Sequence, residues 1–515
     1  MVLGTSSHVG KSLLTAALCR ILAQEGYRVA PFKSQNMSLN SAVTPDGLEI
    51  GRAQALQAEA AGILPSVHMN PILLKPTGNM TSQVVVLGKI WGTLSASEYH
   101  LRRVDELLPI VRESYETLAS QNDVIILEGA GSPAEINLKQ HDIVNMRMAE
   151  LADAECLLVG DIDRGGAFAS LLGTVLLLDT DERKKIAGFL INKFRGDIGL
   201  LEPGVRMIEE RLEKPCLGVV PYLPLLTLDE EDSLSLPPID LNIGAAWQPT
   251  GDNARKLLIA VVALPSFSNF TDFDALRSET SISLHFCRTA DQLSYADVII
   301  IPGSKQTATD LAWMRLQGLD KQIIEHAGKS LLVGICGGMQ MLGKEIADPY
   351  GIEHSGSTPG LDILPIRTTM QPQKITRVSA GHLVQQFLFG RPISSLLICG
   401  YEIHVGDTRY LDEARPFAQL AGASSSETFA DGCVSTDTHT FGTYLHGLFD
   451  DDPFRHAFIA SARSFHGLTV ANNLNNWKQQ REASLNRLTD TVRASLDMRK
   501  IFAMAGLTYQ TESRI

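Results

Sequence analysis

Gly4-Thr5-Ser6-Ser7-His8-Val9-Gly10-Lys11-Ser12 decides how the N-terminal half is read. The spacing is GTxxxxGKS. Glycines let such a loop curl until its backbone N–H groups face one point, and a following helix adds its positive N-terminus, so the loop suits phosphate. Leu13, Leu14, Ala17, Leu18 and Ile21 supply that helix, with an apolar stripe directly after the loop. In this Walker A pattern Lys11 meets the β- and γ-phosphates of a nucleotide, Ser12 holds Mg²⁺, and Thr5 and Gly10 complete the cradle. Only Met1, Val2 and Leu3 precede the loop, fewer residues than a full strand, which leaves open a native start further upstream.

Working outward, short apolar runs at Val124–Leu127, Cys156–Val159 and Gly188–Ile191 read as buried parallel strands, each ending in a polar or glycine-rich turn. Ligands of such sheets bind at the strands' carboxyl ends. Glu128 stands at one of these ends and is a candidate Mg²⁺ ligand opposite the loop. Asn192 stands at another, as a candidate for the adenine edge. Lys33, after the second strand, is placed to neutralise a transferring phosphoryl group or hold a substrate carboxylate. Asp46 and Glu49, with Arg52 and Gln57, follow as candidates for the substrate site or the metal, and Asp161 and Asp163 end a further strand. From 97 to 120, Leu101, Val104, Leu108, Val111, Tyr115 and Leu118 recur at helical spacing.

The pattern lapses near Leu226. Asp229, Glu230, Glu231 and Asp232 form an acidic run, Pro237–Pro238 follows, and the stretch 226–255 reads as a linker between domains 1–225 and 256–450. The second domain repeats the α/β pattern at Leu257–Leu264, Val298–Ile301 and Leu331–Ile335. Residues 451–515 read as a helical extension, with Leu485, Leu488, Val492 and Leu496 in one stripe.

Gly334-Ile335-Cys336-Gly337-Gly338 ends the strand Leu331–Ile335. Small neighbours permit a sharp strand-to-helix turn that presents the thiol at a helix N-terminus, where the dipole favours thiolate. The backbone near Gly337, and Gly303 in the loop Pro302-Gly303-Ser304-Lys305, are candidate oxyanion donors. His446, in Gly442-Thr443-Tyr444-Leu445-His446-Gly447, is the favoured base. The other six cysteines sit in apolar contexts and read as core.

The chain has 515 residues, 44% apolar and 20% charged, with a formal net charge of −13. That charge disfavours nucleic acid as a main partner but leaves room for an anionic small substrate in a local basic pocket. Seven cysteines without a CxxC pair argue against a zinc site or disulfide framework and fit a reducing cytoplasm. Uncharged runs are too short for a membrane span, which needs about 20 residues, and no signal peptide is visible.

The loop resembles that of dethiobiotin synthetase and lacks the extra lysine of partition-type ATPases. Taken in order, GTSSHVGKS, PFKSQNMSLNS, EIGRAQALQAEAA, NPILLKP, EGAGSPAEINL, DIDRGGAFAS, PGSKQT, GICGGMQMLG, GYEIHVG and GTYLHGLF resemble the class I-type glutamine amidotransferases of the cobyric acid synthase (CobQ) type over nearly the whole chain. The resemblance implies a dethiobiotin-synthetase-like P-loop domain followed by a class I glutamine amidotransferase-like domain. It implies amidation of the b, d, e and g carboxylates of adenosylcobyrinic acid a,c-diamide, using ATP, Mg²⁺, glutamine and water, by acyl phosphates and channelled ammonia. The sister family, cobyrinic acid a,c-diamide synthase, shares the architecture but differs in its P-loop and substrate loops. A P-loop switch carrying an inactive amidotransferase domain is the rival of another class, and intact Lys11, Ser12, Cys336 and His446 count against it. Many class I amidotransferases place a glutamate two residues after the catalytic histidine, where this chain has Leu448. That leaves two readings open, a Cys336–His446 dyad or a carboxylate such as Glu402 reaching His446 from elsewhere.

Overall fold

A computed structural model describes residues 1–509 except 79, 225, 230–254, 394, 412–413, 424–426 and 472–473. Most of the expected linker thus lies outside the described residues. The chain divides into two compact units. The first comprises Met1–Ser38, Ile50–Glu231 and Arg481–Ile515, the second Leu39–Glu49 and Asp232–Gln480. Both are α/β.

In the first unit, the strands Val2–Gly4, Cys156–Asp161, Ile186–Phe194 and Cys216–Pro221 form a parallel ladder in that order. Val29–Phe32 pairs with Val124–Leu127, also in parallel, and a bridge between Val2 and Glu128 joins the two ladders. The strands are mainly apolar because helices cover the sheet, and polar residues such as Asp161 and Asn192 come at their carboxyl ends. The helix Lys11–Gln24 buries Leu14, Ala17, Leu18 and Ile21 of the stripe read from sequence, together with Leu22, while Leu13 is only partly buried. The helical stretch read from 97 to 120 is not one helix. Ala96–Arg102 is followed by a π-helical turn, and a new helix runs Leu108–Ala119 with a proline, Pro109, at its start. Proline cannot donate within a helix interior but is well tolerated in a first turn.

Two boundaries differ from the sequence reading. Residues 451–515 are not one extension: the helix Asp452–Phe465 stays with the second unit, while Leu485, Leu488, Val492 and Leu496 pack into the core of the first. Asp229, read as part of the linker between domains, is buried within the first unit, with Arg481 Nη1 at 2.7 Å and Arg52 Nε at 3.3 Å. Two guanidinium groups offset its desolvation, which an unpaired carboxylate could not survive.

The second unit holds a six-stranded sheet in the order Ile282–Cys287, Leu257–Val262, Val298–Ile301, Leu331–Ile335, Thr440–Thr443, Cys433–Val434, parallel except at its last pair. A second, largely antiparallel sheet is built around the long strands Ile366–Leu383 and Leu397–Tyr410. No helix among the described residues is long and apolar enough to cross a membrane.

Candidate active sites

The phosphate loop sits where the first strand ends. Thr5 N–H donates to the Val159 carbonyl at 3.0 Å, tying the loop to the neighbouring strand. Gly10 has φ +98°, and a Cβ there would lie 2.3 Å from Asn192 Nδ2, so only glycine fits. Lys11 Nζ donates to the carbonyls of Ser6 (2.9 Å) and Gly131 (3.1 Å), across the mouth of the loop. Ser12 Oγ donates to Glu128 Oε1 at 2.8 Å, and Lys33 Nζ lies 3.1 Å from the same oxygen. Gln57 Nε2 donates to Glu128 Oε2 at 2.6 Å and to the Ser12 carbonyl at 3.3 Å. Ser12, Lys33, Gln57 and Glu128 therefore form one polar cluster, and both Lys33 and Glu128 are buried.

The donor chemistry suits Mg²⁺. Ser12 and Glu128 offer hard oxygens, and Mg²⁺ is usually held by one or two protein oxygens with phosphates and waters completing the shell. Among the described residues no cluster of three His, Cys, Asp or Glu forms an all-protein cage.

The remaining candidates fall elsewhere. Asn192 donates from Nδ2 to the Val9 carbonyl at 2.8 Å, so one of its amide protons holds the phosphate loop. Lys193 donates to the His8 carbonyl and pairs with Asp161 at 2.8 Å, and Arg195 pairs with Asp163 at 2.9 Å. Asp46 accepts from Thr44 Oγ1 at 2.5 Å, and Glu49 pairs with Lys374 at 2.5 Å, both within the second unit.

In the second unit the candidates meet at the carboxyl ends of adjacent parallel strands. Cys336 has φ +51° and ψ −109°, the strained turn expected between strand and helix. A Cβ at Gly338 would lie 1.9 Å from the Ile301 carbonyl oxygen, and one at Gly334 2.7 Å from Met339 Cα. The glycines around Cys336 are thus required by close backbone approach. A Cβ at Gly337 would lie 3.0 Å from Ser304 N, and one at Gly303 3.1 Å from His446 Cε1, so both candidate oxyanion segments line the same corner. Ser304 Oγ donates to Asp310 Oδ2 at 2.6 Å, which fixes the Gly303 loop.

His446 follows the strand Thr440–Thr443, next to the Cys336 strand. Its Nδ1 lies 2.7 Å from Asp272 Oδ2, and Asp272 Oδ1 accepts from Gly447 N–H at 2.9 Å. Both side chains are 1% exposed. Burial lowers the basicity of His446, but the charge and hydrogen bond of Asp272, aided by Cys336, override it and push the pKa up to about 10. The Tyr401 ring stacks on the imidazole, with centroids 5.4 Å apart.

Glu402 does not reach His446 as the sequence allowed. It accepts from Arg377 at 3.0 and 2.9 Å and from Ser379 at 2.6 Å, with His404 Nε2 at 3.4 Å. Asp272 takes the position beside His446 instead. Sequence reasoning missed it because it lies 174 positions away, in a 3-10 turn, Phe270–Phe273. The one available signal was an acid soon after the strand beginning at Leu257, at a sheet end where ligands gather.

Residues 1–236 match the CobQ/CobB/MinD/ParA nucleotide binding domain family, and residues 258–454 match the CobB/CobQ-like glutamine amidotransferase domain family. The cobyric acid synthase of Moorella thermoacetica is 47% identical over 509 residues, covering 98% of this chain and 97% of the relative. That of Thermoanaerobacter sp. is 47% identical over 506 residues, covering 98% and 97%. That of Clostridium botulinum is 45% identical over 510 residues, covering 98% and 99%. With both halves matched in order, and with relatives matched over nearly their full length, the chain belongs to the cobyric acid synthase family.

Proposed function

We propose that this protein is an ATP-dependent, glutamine-hydrolysing amide ligase of cobalamin biosynthesis. It converts the b, d, e and g carboxylates of adenosylcobyrinic acid a,c-diamide to amides, giving adenosylcobyric acid. The observation that carries this reading is the presence, in one chain, of a Cys336–His446–Asp272 set and a Ser12–Lys33–Gln57–Glu128 cluster at the phosphate loop that carries Lys11. One releases ammonia and the other activates an acid.

In the second unit, His446 takes the Cys336 proton, and the thiolate attacks the glutamine side-chain amide. Backbone donors near Gly337 and Gly303 stabilise the oxyanion. Asp272 holds the Nδ1 proton and stabilises the imidazolium, as the acid of a triad does. Collapse to the thioester releases ammonia, and water then frees glutamate and restores Cys336. In the first unit, Thr5, Gly10, Lys11 and Ser12 cradle the nucleotide, and the adenine edge falls to Asn192 through its Oδ1. Lys11 and Lys33 offset charge as a substrate carboxylate attacks the γ-phosphorus, which yields an acyl phosphate and ADP. Mg²⁺, held by Ser12 and Glu128, would neutralise phosphate charge there. Ammonia displaces phosphate to give the amide. Free ammonia is largely protonated at neutral pH, so its passage within the protein keeps it nucleophilic.

The test is ATP hydrolysis. Dependence on both the corrinoid diamide and glutamine supports the ligase. Hydrolysis stimulated by a protein partner, with no glutamine consumed, favours the switch reading instead.

A further inference from the structure

Residues 39–49 leave the first unit of the chain and belong to the second. They hold the loop that carries Asp272. Ser41 N–H donates to Asn269 Oδ1 at 3.0 Å, and Phe270 N–H donates to Asn40 Oδ1 at 3.1 Å. Val43 of the same segment packs with Tyr401 and Ile403, and Tyr401 stacks on His446. Asn40, Ser41 and Asn269 are all buried.

Asn269 also faces His446, with Nδ2 3.3 Å from the imidazole Nε2. The orientation of its amide follows from chemistry. A backbone N–H can only donate, so Oδ1 must point to Ser41, which turns the NH₂ group toward Nε2. An NH₂ group needs a lone pair on that nitrogen. It therefore favours the neutral imidazole and opposes the imidazolium of a thiolate–imidazolium pair. Among the described residues, the titratable groups facing the ring are Asp272 at Nδ1, Cys336 from the elbow and the Tyr401 ring. Asp272 favours the imidazolium, and Asn269 is its counterweight.

We propose that Asn269 is a positioning residue that opposes protonation of His446 against the pull of Asp272, and that residues 39–49 hold its amide in the orientation that does so. The proposal rests on the reading of Cys336 and His446 as the glutamine-hydrolysing pair. The two ends of the segment continue into Lys33–Ser38 and Ile50–Gln57, the stretches that bring Lys33 and Gln57 to Glu128. The segment that orients Asn269 thus belongs to the same run of chain as the phosphate cluster.

The experiment is the pH profile of Cys336 alkylation by iodoacetamide in the full-length protein, with Cys336→Ala giving the background. Asn269 sits at φ +53°, so Asn269→Gly removes the side chain without backbone strain. Asn269→Asp keeps the shape and the bond from Ser41 but puts an acceptor in place of the donor. The expected result is thiolate formation at lower pH in Asn269→Gly, with the alkylation profile displaced by about five-fold in proton concentration, the scale of one neutral hydrogen bond. Asn269→Asp shifts further in the same direction, while ammonia-driven synthesis in both stays at the wild-type rate. An unchanged profile in Asn269→Asp, or a shift to higher pH in either variant, overturns the proposal. Alkylation is read without turnover, so a wild type that hydrolyses no glutamine would sink the glutaminase reading and still leave Asn269 tested.

Discussion

Asp272 Oδ2 lies 2.7 Å from His446 Nδ1, in a site where both side chains are buried. An uncharged isostere would lose both the charge and the proton acceptor. Asp272→Asn is therefore expected to lower glutamine-dependent kcat by about 10²- to 10⁴-fold, with KM for glutamine changed little. Synthesis driven by added ammonia should be preserved. A loss of the ammonia-driven reaction as well would mean that Asp272 supports the fold rather than the histidine.

Much of this was legible in the chain itself. The GTxxxxGKS loop, the cysteine elbow and the strands that precede them are local patterns, and local patterns survive in sequence. Asp272, Asn269 and the segment 39–49 were not legible, because their roles come from contacts between residues distant in sequence. Asp229 was placed in the linker for the same reason: an acidic run before Pro237–Pro238 reads as a connection between domains until Arg52 and Arg481 are brought to it. Glu402 was a reasonable candidate from its neighbours in the chain, and Arg377 and Ser379 had already claimed it.

Gly338 has no room for a side chain, since its Cβ would sit 1.9 Å from the Ile301 carbonyl oxygen. Backbone must move to admit it. Gly338→Ala is expected to cost about 3 kcal/mol, the upper part of the range for overpacking, and to lower the thermal midpoint. Unchanged stability together with unchanged Cys336 alkylation would show that the elbow is less tightly built than described.

Glu402 contributes a pH-dependent part of stability. Burial raises its pKa, but hydrogen bonds from His404, Arg377 and Ser379 outweigh that and bring it to about 2, below the ordinary 4.5. A depressed carboxyl pKa stabilises the fold above the unfolded value and loses that contribution as pH falls through the folded one, here from 4.5 toward 2. The shift corresponds to about 3 kcal/mol at neutral pH. Denaturant titrations should show a gap between wild type and Glu402→Gln at pH 7 that narrows steadily below pH 4.5. A gap independent of pH would contradict the assignment.

Glu128 joins Ser12, Lys33 and Gln57 in the phosphate cluster. Glu128→Gln should reduce ammonia-driven, ATP-dependent synthesis by at least about 10²-fold, and chelation of Mg²⁺ should abolish it in the wild type. Alkylation of Cys336 should be unaffected. Retention of synthesis at near wild-type rate would remove Glu128 from the reaction.

The most direct measurement is mass spectrometry of the corrinoid a,c-diamide incubated with this protein, MgATP and amide-labelled glutamine, with Cys336→Ala alongside. The account predicts stepwise gain of four labelled nitrogens, lost in Cys336→Ala and restored there by added ammonia. A folded protein that binds ATP yet adds no nitrogen from either source would contradict it.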